Sequence, residues 1–246
     1  MPEHRPTPKA LSTHSVCALC GRWPTAPVCE ACWSFARSDR PRCPRCASRA
    51  WVSGQRCEDC WPEDSALDAT WAAVDYAYPW SGLMARFKFR DEVAWADWFA
   101  QAMWDAPGAP QRWSGVDWVV PMPMTRQRLS DRGYHPAWLM AQALLDKVPL
   151  EHRPPALADG LVRLSEGEHQ HDLPRAQRLV NPGLACVAHP RHASRWLGSH
   201  VMLIDDVCTT GASLQAAARA LKQAGAARVS AWVLARTPPH RGLGPL

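Results

Sequence analysis

No stretch of apolar residues reaches the roughly 18 that a bilayer-crossing helix requires, so no transmembrane helix is expected. The first ten residues, MPEHRPTPKA, lack the apolar middle of a secretory signal, and a cytoplasmic location is expected. Lysine is scarce, occurring only at Lys9, Lys88, Lys147 and Lys222. Neither G-x-x-x-x-G-K-[ST] nor G-x-G-x-x-G occurs. A P-loop ATPase and a dinucleotide-binding fold therefore both lack their phosphate loops.

The chain has 246 residues, 47% of them apolar, which is enough for one large domain or a medium domain with a small one. The formal charge is +5. The cations are mostly arginine, which forms bidentate contacts with phosphate and stacks on bases. Charge of this kind is compatible with a nucleotide or nucleic-acid partner, but on charge alone an arginine-biased composition is the simpler reading.

Eight of the ten cysteines fall into four pairs with a two-residue gap: Cys17 and Cys20, Cys29 and Cys32, Cys43 and Cys46, Cys57 and Cys60. That gap lets two thiolates face one ion, and four thiolates around a tetrahedral ion make a closed structural zinc site. Two zinc ions are expected. The segment repeats: a pair, eight residues, a pair and Trp33, then a pair, ten residues, a pair and Trp61. The repeat favours consecutive pairing, although a cross-braced arrangement satisfies the same counts. A module this small cannot bury an adequate core, so metal binding supplies its folding energy. Arg37, Arg40, Arg42, Arg45, Arg49 and Arg56 lie here with Trp33 and Trp51. The module thus reads either as a structural staple or as a nucleic-acid or protein contact surface. Cys186 and Cys208 stand alone, and each reads as a small buried or loop residue.

Residues 1–15 read as a flexible tail, 16–62 as a double zinc ribbon, 63–70 as a polar linker, 71–236 as the main domain and 237–246 as a C-terminal tail. Trp71 to Tyr78 alternates as a strand. Ser81 is placed to cap the next helix, and Trp95, Trp98, Phe99 and Met103 form a core stripe. Trp118 to Val120 is a short strand ended by Pro121 and Pro123. A basic loop with Arg126, Arg128, Arg132 and Gly133 follows, then a helix from Trp138. His169 and His171 sit in a polar stretch with Arg175, Arg178 and Asn181, where nothing local assigns a role.

Val201 to Ile204 is an unbroken apolar run, as in a strand buried on both faces. Asp205, Asp206 and a run of small residues follow. Gly211 opens a helix with Leu214, Ala217, Ala218 and Leu221 on one face, and Gly225 suits its C-terminal cap. ARVSAWVLAR then reads as another strand, which completes a βαβ unit with parallel strands. Ligands in such sheets sit beyond the carboxyl ends of the strands. Small residues and hydroxyls at a helix N-terminus suit a phosphate. The paired carboxylates suit sugar hydroxyls or a magnesium ion. Phosphate beside diol describes a ribose 5-phosphate.

These residues resemble the type I phosphoribosyltransferase superfamily and, within it, the ComF family (ComFC/GntX-like). The resemblance rests on the cysteine pairs, RFKFRDE, VVPMPMTRQRLSDRGY, LPRAQRLVNPG and VMLIDDVCTTGAS, in that order. It implies an α/β fold with a central, mostly parallel sheet flanked by helices. It implies that Asp205 and Asp206 bind the ribose hydroxyls of phosphoribosyl pyrophosphate. Val207, Cys208, Thr209, Thr210, Gly211, Ala212 and Ser213 would cradle the 5-phosphate. Arg126, Arg128, Arg132 and Lys88 would face the pyrophosphate, with Arg90 a further candidate and magnesium bridging ligand oxygens. It implies a role in natural competence and DNA uptake beside other DNA-uptake proteins. Three activities fit: binding without turnover, transfer to an acceptor such as a nucleobase, or an accessory role on single-stranded DNA. One departure stands out. Family members commonly carry Asn-Gln after the Arg-Gly-aromatic triplet, where this chain has His135 and Pro136, and proline removes a backbone donor.

Overall fold

The computed structural model describes residues 15–23, 25–36, 41–49, 57–60, 63–163 and 186–238. Arg37, Arg40, Arg56, Trp51, Trp61, His169, His171, Arg175, Arg178 and Asn181 lie outside the described residues, as do most of both tails.

The chain divides into two compact units, Met1–Ser38 and Asp39–Leu246. The division falls between the two cysteine clusters. In the first unit, Ser15 and Thr25 exchange backbone hydrogen bonds of 2.7 and 2.9 Å, which closes the first knuckle. Helix α1 (Glu30–Ala36) starts directly after Cys29, with Glu30 in its first turn where the helix dipole favours an acid.

The second unit is built on four parallel strands in the order β1-β6-β5-β2. They are β1 (Ala69–Asp75), β2 (Trp118–Pro121), β5 (His200–Cys208) and β6 (Arg228–Arg236). A separate antiparallel ribbon joins β3 (Leu161–Arg163) to β4 (Cys186–Ala188). Val201 to Ile204 in β5 and Val229 with Ala231 to Ala235 in β6 are fully buried, as expected for strands covered on both faces. Helices α2 (Trp80–Phe89), α3 (Trp95–Trp104) and α5 (Pro136–Leu145) pack together and onto the sheet. Helix α7 (Ala212–Gln223) packs on β5 and β6 beside β4. The chain runs one way along the sheet from β1 to β2 and the other way from β5 to β6, so right-handed crossovers put α2 and α3, with α5 packed on α3, on one face and α7 on the other. Short helices α4 (Arg126–Arg132) and α6 (Ala193–Trp196) complete the set among the described residues.

Local details differ from the sequence reading at several points. Ser81 lies inside α2, whose N-cap position is Pro79, so it does not cap. The basic segment after β2 is helical: Thr125 Oγ1 accepts from Arg128 N–H (3.3 Å), and Gly133, at φ +76°, ends the turn. Pro136 sits in the first turn of α5, where its missing N–H leaves no bond unmade. Strand β5 runs on past Ile204 because β6 pairs it as far as Cys208↔Arg236. Residues 65–68 are docked onto the main unit. Gln215 Nε2 donates to Ser65 Oγ (2.6 Å), and Asp68 Oδ2 accepts from Val229 N–H (2.7 Å).

The second cysteine cluster belongs to this unit. Cys43, Cys46, Ala47 and Cys57 share the hydrophobic core with Ala72, Cys208, Leu214 and Val233. Pro44 O accepts from Thr70 N–H (3.1 Å) on the edge strand β1, occupying a donor that would otherwise be an open edge. Arg42 and Arg49 both reach Asp75, at 2.8 Å each. These two arginines serve the packing of the ribbon, although sequence alone grouped them with a nucleic-acid surface.

Candidate phosphoribosyl site and cysteine clusters

Parallel strands end together, and the cleft lies where β5 ends. It encloses about 750 Å³ and is lined by Asp205, Asp206 and Ser213 from one side and by Arg128 and Arg132 from α4. Lys88, Phe89, His135 and Arg163 also line it. Arg128 and Arg132 are four residues apart, so one helix face presents both. Arg126 is exposed at the start of α4 and is not among the lining residues. Thr209 and Thr210 are exposed on the loop, while Ser213 alone among the hydroxyl residues of that loop lines the cleft.

The two aspartates are held differently. Asp206 is buried, and its Oδ1 receives Lys88 Nζ at 2.8 Å. Lys88, expected to face an anion, therefore neutralises a carboxylate. Asp205 Oδ1 accepts from Asp206 N–H (2.9 Å). Burial, and then the charge on Asp206, pushes the Asp205 carboxyl up to about 8; Lys88 and Arg163 offset this only in part. Asp205 is thus biased towards its protonated form, while Asp206 is paired with Lys88.

The loop after β5 leads into α7 through a left-handed glycine. Gly211, at φ +82°, makes the left-handed turn that a side chain would strain. Thr210 Oγ1 accepts from Ala212 N–H (3.3 Å). Behind the loop, Arg236 Nη1 donates to the carbonyls of Cys208 (3.2 Å), Thr209 and Thr237 (3.2 Å). Cys208 itself is buried, and its thiol is pushed up to about 11 by that burial.

His135 occupies the point of departure from the family pattern. It is the N-cap of α5, with Nδ1 accepting from Trp138 N–H (3.2 Å), and burial lowers its pKa. Tyr134 O–H donates to the Phe87 carbonyl, joining this turn to α2. Arg132 lies over the Phe89 ring at 5.5 Å, at the mouth of the cleft. Phe89, His135 and Arg163 were not assigned to the site from sequence. Arg163 reaches it only through tertiary folding, whereas His135 was marked in sequence as the departure after Gly133 and Tyr134, and Phe89 lies in the RFKFRDE segment.

The cysteines form two separate groups, Cys17 with Cys20, Cys29 and Cys32, and Cys43 with Cys46, Cys57 and Cys60. Pairing is therefore consecutive, not cross-braced. Tetrahedral zinc with Zn–S bonds of about 2.3 Å separates its sulfurs by about 3.8 Å. Cys20 and Cys29 lie 3.7 Å apart, Cys43 and Cys60 3.8 Å, and Cys46 and Cys57 3.7 Å. Both donor sets fit zinc. Burial of Cys17 works upward on its thiol, but backbone N–H groups of Cys29, Cys20 and Leu19 outweigh it and bring the pKa down to about 6. Ser48 Oγ donates to Asp59 Oδ2 (2.9 Å), tying the two knuckles of the second cluster. Asp159, His189 and His192 also approach one another. There, His192 Nε2 bonds Asp159 Oδ1 (2.8 Å) and His189 Nδ1 accepts from Arg191 N–H (3.1 Å).

Comparison with known proteins agrees with this geometry. Residues 163–243 match the family model for the phosphoribosyl transferase domain. The chain is 28% identical to DNA utilization protein YhgH of Escherichia coli (strain K12), over 92% of this chain and 99% of that protein. It is 28% identical to competence protein F of Haemophilus influenzae, over 85% and 90% of the two chains. It is 36% identical to competence protein ComFC of Bacillus subtilis over 48% and 44%. The resemblance to the ComF family drawn from the motif order is borne out.

Proposed function

We propose that this homologue of competence proteins binds phosphoribosyl pyrophosphate, with magnesium, in the cleft at the end of β5, and acts in DNA uptake. One observation carries the ligand: Asp205 and Asp206 lie near the carboxyl end of the buried parallel strand β5, which leads into a small-residue loop at the N-terminus of α7, with Arg128 and Arg132 across a cleft of about 750 Å³. The names of the relatives motivate the process. A reducing, cytoplasmic setting is supported by the cysteines, all ten of which are free thiols and eight of which are gathered for metal. Among the described residues no helix is long and apolar enough to cross a membrane.

In this reading the loop Val207–Ser213 takes the 5-phosphate, and the carboxylates accept from the ribose hydroxyls. Arg128 and Arg132 face the pyrophosphate. Magnesium, when bound, supplies positive charge to the phosphate oxygens. Asp206, which lines the cleft, is the carboxylate that would meet it. If the bond from C1 to pyrophosphate breaks, the two arginines stabilise the leaving group. No covalent nucleophile is required.

Titration calorimetry of the full chain with phosphoribosyl pyrophosphate and magnesium tests the reading. Binding that is lost in Asp206→Asn and weakened in Arg128→Ala is expected. Heat-silent titration at millimolar ligand, with the protein shown to be folded, overturns it.

A further inference from the structure

Arg236 is the last residue of β6 and lies level with Asp75 of β1 on one side and Cys208 of β5 on the other. Its side chain is buried and spans two pieces of backbone that the sequence keeps far apart. Nε donates to Cys46 O at 3.1 Å. Nη1 donates to the carbonyls of Cys208 and Thr209, where the loop before α7 begins. Cys46 is a fully buried member of the second cysteine cluster. One guanidinium therefore fastens that cluster to the candidate phosphate loop.

The orientation of the loop follows from this. In a trans peptide the N–H points opposite to the carbonyl of the same plane. Holding the Cys208 and Thr209 carbonyls on Arg236 turns the N–H groups of Thr209 and Thr210 away from it. A fork of rigid donors sets such planes better than a point charge does. The cluster is in turn anchored independently of Arg236. Arg42 bonds Asp75 (2.8 Å) and Ala47 O (3.1 Å), Arg49 bonds Asp75, and Thr70 N–H reaches Pro44 O. The position of the Cys46 carbonyl depends on the fold of its knuckle, and a knuckle this small depends on its metal.

We infer that Arg236 is a positioning residue that couples the second cysteine cluster to the phosphate loop, so that metal held by Cys43, Cys46, Cys57 and Cys60 governs how firmly the loop holds a phosphate ester. The inference rests on reading that loop as the ribose 5-phosphate site. Loss of the metal, by chelation or thiol oxidation, releases one of the acceptors that fix the guanidinium and leaves the loop carbonyls less constrained. The cluster of Cys17, Cys20, Cys29 and Cys32 belongs to the other compact unit and provides an internal control.

The test compares full-length, zinc-loaded protein with Cys60→Ser, Cys20→Ser and Arg236→Lys. Zinc content is measured for each. Two readouts follow: amide hydrogen exchange of residues 208–213 without ligand, and affinity for phosphoribosyl pyrophosphate with magnesium. Cys60→Ser and Arg236→Lys are expected to speed loop exchange and weaken binding by about tenfold, the scale of a lost charged hydrogen bond. Exchange in α5 stays at the wild-type rate, and Cys20→Ser changes neither readout. Unchanged loop exchange in a Cys60→Ser protein that has lost its second zinc overturns the coupling, as does an equal effect from Cys20→Ser. If Cys60→Ser does not fold, Arg236→Lys with zinc retained decides through the same readouts. Wild-type protein that binds no ligand sinks the ribose-phosphate reading, while the exchange measurement still settles the coupling.

Discussion

Lys88 Nζ sits 2.8 Å from Asp206 Oδ1, with both side chains mostly buried, so α2 supplies the counter-charge for a carboxylate at the end of β5. Removing one partner of such a pair leaves a buried charge uncompensated. Lys88→Met should destabilise the fold by about 1–3 kcal/mol, below the cost of a fully buried pair because some water reaches both groups. A divalent cation can take the lysine's place. Magnesium should therefore raise the melting temperature of Lys88→Met more than that of the wild type. Equal shifts in the two proteins would argue against cation binding at Asp206.

Asp205 has the opposite balance. Its folded pKa, raised to about 8, lies above the unfolded carboxyl value, so the folded state keeps a proton that the unfolded state releases. Stability from this group is complete below about pH 4 and is lost as pH rises towards 8. Asp205→Asn removes the effect. The variant should melt several degrees higher than wild type at pH 8, with the gap closing towards pH 4. Ligand binding runs the other way if it needs the ionised carboxyl. Affinity for phosphoribosyl pyrophosphate with magnesium should rise between pH 6 and 8, by at most about tenfold per pH unit, and that slope should flatten in Asp205→Asn.

Gly160 makes its close approach at an ordinary backbone conformation. A Cβ there would meet Val120 Cγ1 and Cγ2 at 3.0 Å and Trp196 Cη2 at 3.2 Å. Val120 and Trp196 are fully buried and have nowhere to move. Gly160→Ala should cost about 1–3 kcal/mol by overpacking. Val120→Ala in the same chain should recover part of that cost, and a denaturant double-mutant cycle would show the coupling. Additive losses would place the strain elsewhere.

The βαβ unit was legible in sequence because its signals are local. Val201 to Ile204 is an apolar run, Leu214, Ala217, Ala218 and Leu221 keep helical period, and Gly225 ends the helix. Consecutive cysteine pairing was legible as a repeat. Features that arise between distant segments were not. β5 continues through two aspartates because β6 offers paired backbone as far as Arg236, and that outweighs the poor strand preference of aspartate. Helix α4 forms where a basic loop was expected because Thr125 caps it. The proline that removes a donor costs nothing at the first turn of α5. Arg42 and Arg49 look like a nucleic-acid surface until Asp75, on β1, is folded against them. Arg163 and Arg236 carry no local mark of their positions, because each acts through residues distant in sequence.

His200 yields a prediction away from the cleft. It opens β5, with Nδ1 facing Gly115 O (3.1 Å), Nε2 facing Ser230 Oγ (3.0 Å) and its backbone N–H donating to Asp117 Oδ2 (2.8 Å). Burial, then the charge on Arg228, lowers its pKa, while Asp117 and Asp68 only partly oppose the shift. Below the unfolded value of about 6.5 the unfolded chain gains a proton that the folded chain refuses. Stability is therefore full above that pH and falls as the solution is acidified through it. His135, also lowered by burial, adds to the same trend. His200→Gln should be less stable than wild type at pH 7.5, because two buried hydrogen bonds are disturbed. Its further loss between pH 7.5 and 5.5 should be smaller than that of the wild type. Thermal melts at the two pH values decide this, and a variant whose acid loss equals the wild-type loss would show that His200 is not the group being titrated.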